Sequence, residues 1–199
     1  SSEEALAIYE RQWHLPADVD QIRQDETLLQ EWTQRKTTFL TQFTLELREA
    51  ANYYRQSDYK VFTTSRNIFA LPIIDPESQT WFSQSAPNFA AAYDYVAVMA
   101  MPYMEEAENP ERWLQELARR SLALVPAKQL VFELQTRDWR VNKLVPNEVL
   151  VEWIDILKQQ GIRNIGYYPD DFHNNHPNTR ILRPHFSIGK RFGVYYDYP

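Results

Sequence analysis

Three stretches of this sequence set acids beside rings or amides: Tyr103 with Glu105 and Glu106, Glu133 with Gln135, and Tyr168 with Asp170 and Asp171. A fourth carries the polar pair Arg66 and Asn67. Paired carboxylates supply the acid and base of glycosidic chemistry, and aromatic faces stack on the apolar faces of sugars. Trp81, in the stretch Pro76-Glu77-Ser78-Gln79-Thr80-Trp81-Phe82, is a further stacking group. Each residue also has a plain structural reading. Glu133, inside an apolar run, needs a partner and could pair with Arg66 or Arg137. Asp170 and Asp171 could cap a turn, and Trp81 could cover a helix.

Other chemistries lack their residues. His14, His173, His176 and His185 form no helical i, i+4 pair, and the chain has 0 Cys, so no metal site is predicted in it. The glycine-rich phosphate loops and the serine nucleophile elbow are absent. A formal charge of -6 argues against a nucleic-acid partner, which calls for a basic stripe. No apolar run reaches the roughly 18 residues of a membrane span.

The elements that hold these residues follow from hydrophobic periodicity. A short helix is predicted over residues 3–14. Leu28, Trp32, Phe39, Leu40, Phe43, Leu47, Ala50 and Tyr54 recur at helical steps and predict one long amphipathic helix. Residues 60–64 read as a first strand ending at Ser65-Arg66-Asn67, 95–101 as a second, 130–134 as a third and 162–168 as a fourth. Between them lie short helices over 77–82 and 87–92, and longer helices opened by Pro110 and Pro146, with Gly161 as a left-handed cap. Trp13, Trp32, Trp113 and Trp153 fall on apolar helix faces and are expected in the core.

Continuous apolar strands alternating with helices predict an α/β fold with a parallel sheet buried on both faces. Spacing alone leaves two closures open: a doubly wound sheet, or four strands of an eight-stranded barrel. In both, ligands meet the carboxyl ends of the strands, where the acids and rings above are placed.

Several strings also resemble a known family. Thr64-Ser65-Arg66-Asn67-Ile68-Phe69-Ala70-Leu71-Pro72, Met99-Ala100-Met101-Pro102-Tyr103, Glu133-Leu134-Gln135, Gly166-Tyr167-Tyr168-Pro169-Asp170 and Arg183-Pro184-His185-Phe186-Ser187 resemble the C-terminal domain of PgaB/HmsF proteins, in order along the chain. The resemblance implies the C-terminal half of a (β/α)8 barrel of glycoside-hydrolase type over residues 1–187, followed by an aromatic tail over 188–199. It implies a periplasmic, outer-membrane-associated parent that handles partly de-N-acetylated poly-β-1,6-N-acetyl-D-glucosamine for biofilm export, with an outer-membrane porin as partner. N-deacetylation, and the divalent metal it needs, would belong to another domain, and no cofactor is expected in this chain. The glycosidase carboxylates are expected upstream of Ser1, so the chain alone is expected to be inactive. Trp81, Tyr103, Glu133, Tyr168 and Asp170 are then expected to line a sugar groove, together with Glu105, Gln135, Arg66 and Asn67. Half a barrel would leave strand edges open, predicting a homodimer or cover by the first helix and the tail over 192–198. The competing reading is a non-catalytic carbohydrate-binding or partner-docking α/β module.

Overall fold

The structure is a computed structural model and describes residues 2–54 and 63–186. Strands β1 (Ser65–Phe69), β2 (Tyr95–Ala100), β3 (Leu130–Gln135) and β6 (Asn164–Tyr168) form one parallel sheet in the order β1-β2-β3-β6. Each strand lies beside its predecessor in the sheet, with no reversal of order. That is the topology of a barrel sector, whereas a doubly wound sheet changes direction at a switch point.

The register divides the strand residues between two faces. Ile68, Val98 and Phe132 lie side by side, all at 0% exposure. They meet helices α7 (Pro110–Leu124) and α8 (Asn147–Gln159), which bury Leu114, Leu117, Leu150, Trp153, Ile154 and Leu157. The alternate row, Phe69, Met99, Glu133 and Gly166, faces away from those helices. Local chemistry fixes the helix ends. The Asn109 side chain accepts from the Arg112 amide at 2.8 Å ahead of Pro110, and Gly161, with φ +95°, ends α8 in the left-handed region glycine tolerates.

Two expected boundaries change. The first strand begins at Ser65, so Arg66 and Asn67 lie within it; residues 60–62 of the expected run lie outside the described residues. Pairing with β2 decides this: Thr64 supplies the carbonyl for the Tyr95 amide, and its own amide and hydroxyl donate to Asp94 at 2.7 and 2.9 Å. Those bonds hold the Asp94 carboxyl below its usual range. Helix α1 (Glu3–Arg11) stops short of His14, which takes φ 57°.

The long helix α3 (Glu26–Tyr54) has the predicted period, which leaves its orientation to be set by its neighbours. Its buried positions are Thr33, Thr37 and Thr41, whose hydroxyls donate to carbonyls one turn back. Phe39, Phe43 and Leu47 are half exposed. Periodicity reports that an apolar stripe exists, and not which neighbour meets it. Of the four tryptophans expected in the core, Trp153 is fully buried and Trp13, Trp32 and Trp113 partly so. The short helices α2 (Val19–Gln24), α4 (Leu71–Ile74) and α9 (Thr179–Phe186), and a hairpin of β4 (Arg137–Asp138) and β5 (Lys143–Leu144), were not foreseen. Helices α5 (Gln79–Phe82) and α6 (Ala86–Ala92) fall where short helices were expected. The tail over 188–199 lies outside the described residues.

Candidate functional site

Because the four strands are parallel, the residues at their carboxyl ends share one end of the sheet. Glu133 stands on the face turned from the helices and accepts from Asn67 Nδ2 at 3.4 Å, across β2. Neither arginine considered as its partner takes that role. Arg66 sits on the helix face with its guanidinium 5.4 Å over the Phe89 ring, and the Arg137 guanidinium bonds Asn142. Burial pushes the Glu133 carboxyl above its usual range, and Glu105 likewise. Gly166 is the neighbour of Glu133 in register, and a Cβ built there meets nothing within 4 Å. Among the described residues, the strand therefore leaves open space beside a carboxylate that is partly desolvated and only weakly hydrogen-bonded.

Gln135 is a hub. At 0% exposure, its Oε1 accepts from the Tyr103 and Met104 amides at 2.8 and 3.2 Å, while its Nε2 donates to the Arg137 carbonyl at 2.7 Å. It ties the loop after β2 to the hairpin after β3 and has no exposed surface to offer a ligand. Tyr103 lies edge-on to Trp153, 5.2 Å between centroids, beneath the Arg140 guanidinium. Burial raises its phenol pKa, with Glu111 and Asp138 adding to the shift.

Tyr168, 60% exposed, closes β6 and stacks on Trp139 of the hairpin turn, with centroids 6.4 Å apart. Asp171 acts as a turn cap, accepting from the Asn174 amide and side chain at 3.1 and 2.8 Å, and those bonds lower its pKa. Asp170 follows Tyr168 and acts electrostatically on Tyr167. His176 is buried with Nε2 3.2 Å from the Thr136 carbonyl oxygen.

Trp81 is 80% exposed on α5, which Phe82 pins to β1 by packing on Phe69 at 4.9 Å. It borders an open groove of about 870 Å³ between α3 and the segment after β1, whose walls include Glu26, Asp75, Glu77 and Asn88. Glu133, Gln135 and Tyr168 are not among those walls. The structure thus gathers Glu133 with Asn67, and Tyr103 with Gln135, while Trp81 stands at the β1 edge and Arg66 behind the sheet.

Residues 1–168 match the model of a family described as hypothetical glycosyl hydrolase family 13. The chain belongs to this family. Solved and curated proteins are also similar to the chain. It is similar to the PgaB (BpsB) glycoside hydrolase domain from Bordetella bronchiseptica, with 41% identity and a TM-score of 0.89, over 94% of this chain and 52% of that one. It is 36% identical over 193 residues to the poly-beta-1,6-N-acetyl-D-glucosamine N-deacetylase of Escherichia coli K12, and equally to that of strain O157:H7. The match takes in 94% of this chain, which spans only 28% of the length of those curated relatives. The resemblance seen in the strand-end strings is borne out, and the solved neighbour fits the barrel reading of the sheet order.

For a chain of hypothetical glycosyl hydrolase family 13, the informative residue left aside at the sequence level is Trp139. It sits between charged residues, in Arg137-Asp138-Trp139-Arg140, and on no apolar helix face. That setting was the signal that it is not a core tryptophan.

Proposed function

We propose that this chain contributes the sugar-holding end of a barrel in a protein that processes poly-β-1,6-N-acetyl-D-glucosamine, gripping units that have lost their acetyl groups. The observation that carries this reading is Glu133, a half-buried carboxylate facing the open space left by Gly166. A glucosamine amine is protonated near neutral pH and can donate to such a carboxylate, whereas an N-acetyl group brings no charge. The curated relatives' names supply the polymer, and Trp81 supplies an exposed ring for a pyranose face.

N-deacetylation with its divalent metal, a periplasmic setting at the outer membrane and delivery to an export porin are part of the same proposal, for the whole protein. Hydrolysis needs two carboxylates about the scissile bond, and Glu133 alone supplies one. The chain by itself is therefore expected to bind polymer without releasing new reducing ends. Trp81→Ala should weaken oligomer binding roughly ten-fold, the loss of one ring face from contact. Unchanged affinity, measured by calorimetry, would favour a partner-docking role over a sugar-binding one.

Within the described sheet, β1 and β6 each pair on one side only, and the apolar stripe of α3 is half exposed. Further barrel strands, or a second copy of the chain, would complete both features. We expect the chain on its own to self-associate in sedimentation experiments, and a monodisperse monomer would contradict this.

A further inference from the structure

We propose that the pocket walled by α1, α2, α3 and α5 is a separate ligand site, one that takes a small organic carboxylate with a ring-sized apolar body. The inference goes beyond the sugar-binding reading above, because it concerns another space and the opposite charge. The pocket has a volume of about 420 Å³, and its walls include Tyr9, Ile22, Arg23, Trp32, Lys36 and Trp81. That volume is typical of small-molecule sites, which run from roughly 300 to 1,000 Å³.

Charge sets this pocket apart. Arg23 and Lys36 are its charged walls, and no acid joins them, in a chain whose 27 acidic residues outnumber its 21 lysines and arginines. The open groove that Trp81 also borders has the reverse make-up, with Glu26, Asp75 and Glu77 and neither lysine nor arginine. Leu29, Thr80 and Trp81 wall both spaces, so surfaces of opposite sign share one partition. Two cations repel a protonated amine from the pocket and draw a carboxylate into it.

Lys36 lacks the partner that such a ligand supplies. Its ammonium is half-buried 4.1 Å over the Trp32 ring, and burial lowers its pKa from the ordinary 10.5. The ring face attracts the charge but does not satisfy three N–H donors. Among the described residues, no carboxylate lies within ion-pair distance of Lys36 or Arg23. Drawing an ammonium part-way out of water without a counter-ion costs free energy, which a bound carboxylate offsets. The rings are already ordered: Tyr9 stacks on Trp13 with centroids 5.1 Å apart and meets Trp32 edge-on at 6.1 Å. A preformed apolar wall beside two cations favours an anion that carries a ring over a strongly hydrated one such as phosphate.

The test is titration of the chain with benzoate, with benzamide as its uncharged analogue and with inorganic phosphate, followed through the indole N–H signals in NMR spectra. Benzoate should shift the Trp32 signal saturably and bind roughly ten-fold more tightly than either benzamide or phosphate. Lys36→Met keeps an unbranched stem over the indole and removes the charge, so it should abolish the preference for benzoate over benzamide. Arg23→Gln should reduce that preference. Neither residue has an ion pair to lose among the described residues, so both variants should keep the wild-type denaturation midpoint, measured alongside. Benzamide or phosphate binding as tightly as benzoate, or a benzoate preference that survives Lys36→Met, would overturn the site. So would the absence of a saturable benzoate shift, a result that leaves glucosamine-oligomer binding, titrated on the same samples, to be judged by itself.

Discussion

Gln135→Leu is expected to lower the unfolding free energy by about 2–4 kcal/mol, because it removes three hydrogen bonds without changing side-chain size much. The Tyr103 and Met104 amides lose their acceptor and the Arg137 carbonyl loses its donor. Gln135 is fully buried, so water reaches the vacated positions poorly. Gln135→Glu keeps the acceptor but turns an oxygen toward the Arg137 carbonyl, and should give an intermediate loss. Chemical denaturation measures both. A leucine variant within about 0.5 kcal/mol of wild type, the range of ordinary surface changes, would show that the loops are held by something else.

Trp153→Ala should cost about 3–5 kcal/mol, the usual toll for emptying a buried aromatic site. Trp153 has 0% exposure, packs in the core that contains Leu150, Ile154 and Leu157, and meets the Tyr103 ring edge-on. Its indole N–H is buried without a hydrogen-bond partner among the described residues, which already subtracts from the benefit of burial. Trp153→Phe removes that orphaned donor and leaves a smaller void, so it should cost much less than alanine. Equal losses in the two variants would show that ring volume is not what matters there. The position also links stability to function, since the same tryptophan seats Tyr103 at the strand ends.

Much of this architecture was legible in the residues. The continuous apolar runs around Val98 and Phe132 announced parallel strands, and Pro110, Pro146 and Gly161 marked helix ends because each restricts or frees the backbone in one defined way. Strand register was not legible. Thr63 and Thr64 are β-branched, yet pairing begins at Ser65, because the partner strand sets where the ladder starts. The direction of α3's apolar stripe was hidden for a related reason: Phe39 and Phe43 give a period, and only tertiary contacts say what the stripe faces.

The site residues divide in the same way. Glu133 was visible as an acid in an apolar strand, and its open neighbour Gly166 became meaningful only once register placed them side by side. Gln135 read as a groove amide, while its three bonds to distant backbone could not be read from a tripeptide. Trp139 stood in plain sight among charges, and its stacking on Tyr168 depends on a hairpin too short to leave a strand pattern.

The central claim is that Glu133 selects the free amine, and pH gives the most direct test of it. Burial raises the Glu133 carboxyl above its ordinary 4.5. Preference for glucosamine over N-acetylglucosamine oligomers should therefore be full above that raised value and fade as pH falls through it, earlier than for a solvated glutamate. Stability follows the opposite sign: a buried acid with a raised folded pKa makes the fold more stable as pH falls from the folded value toward the unfolded one. The measurement is a pair of calorimetric titrations, glucosamine against N-acetylglucosamine oligomers, at several pH values, on the wild-type chain and on Glu133→Gln. A preference that declines with falling pH in the wild type and is absent in Glu133→Gln is the predicted result. Equal affinity for both oligomers at every pH, or a preference untouched by Glu133→Gln, would contradict it.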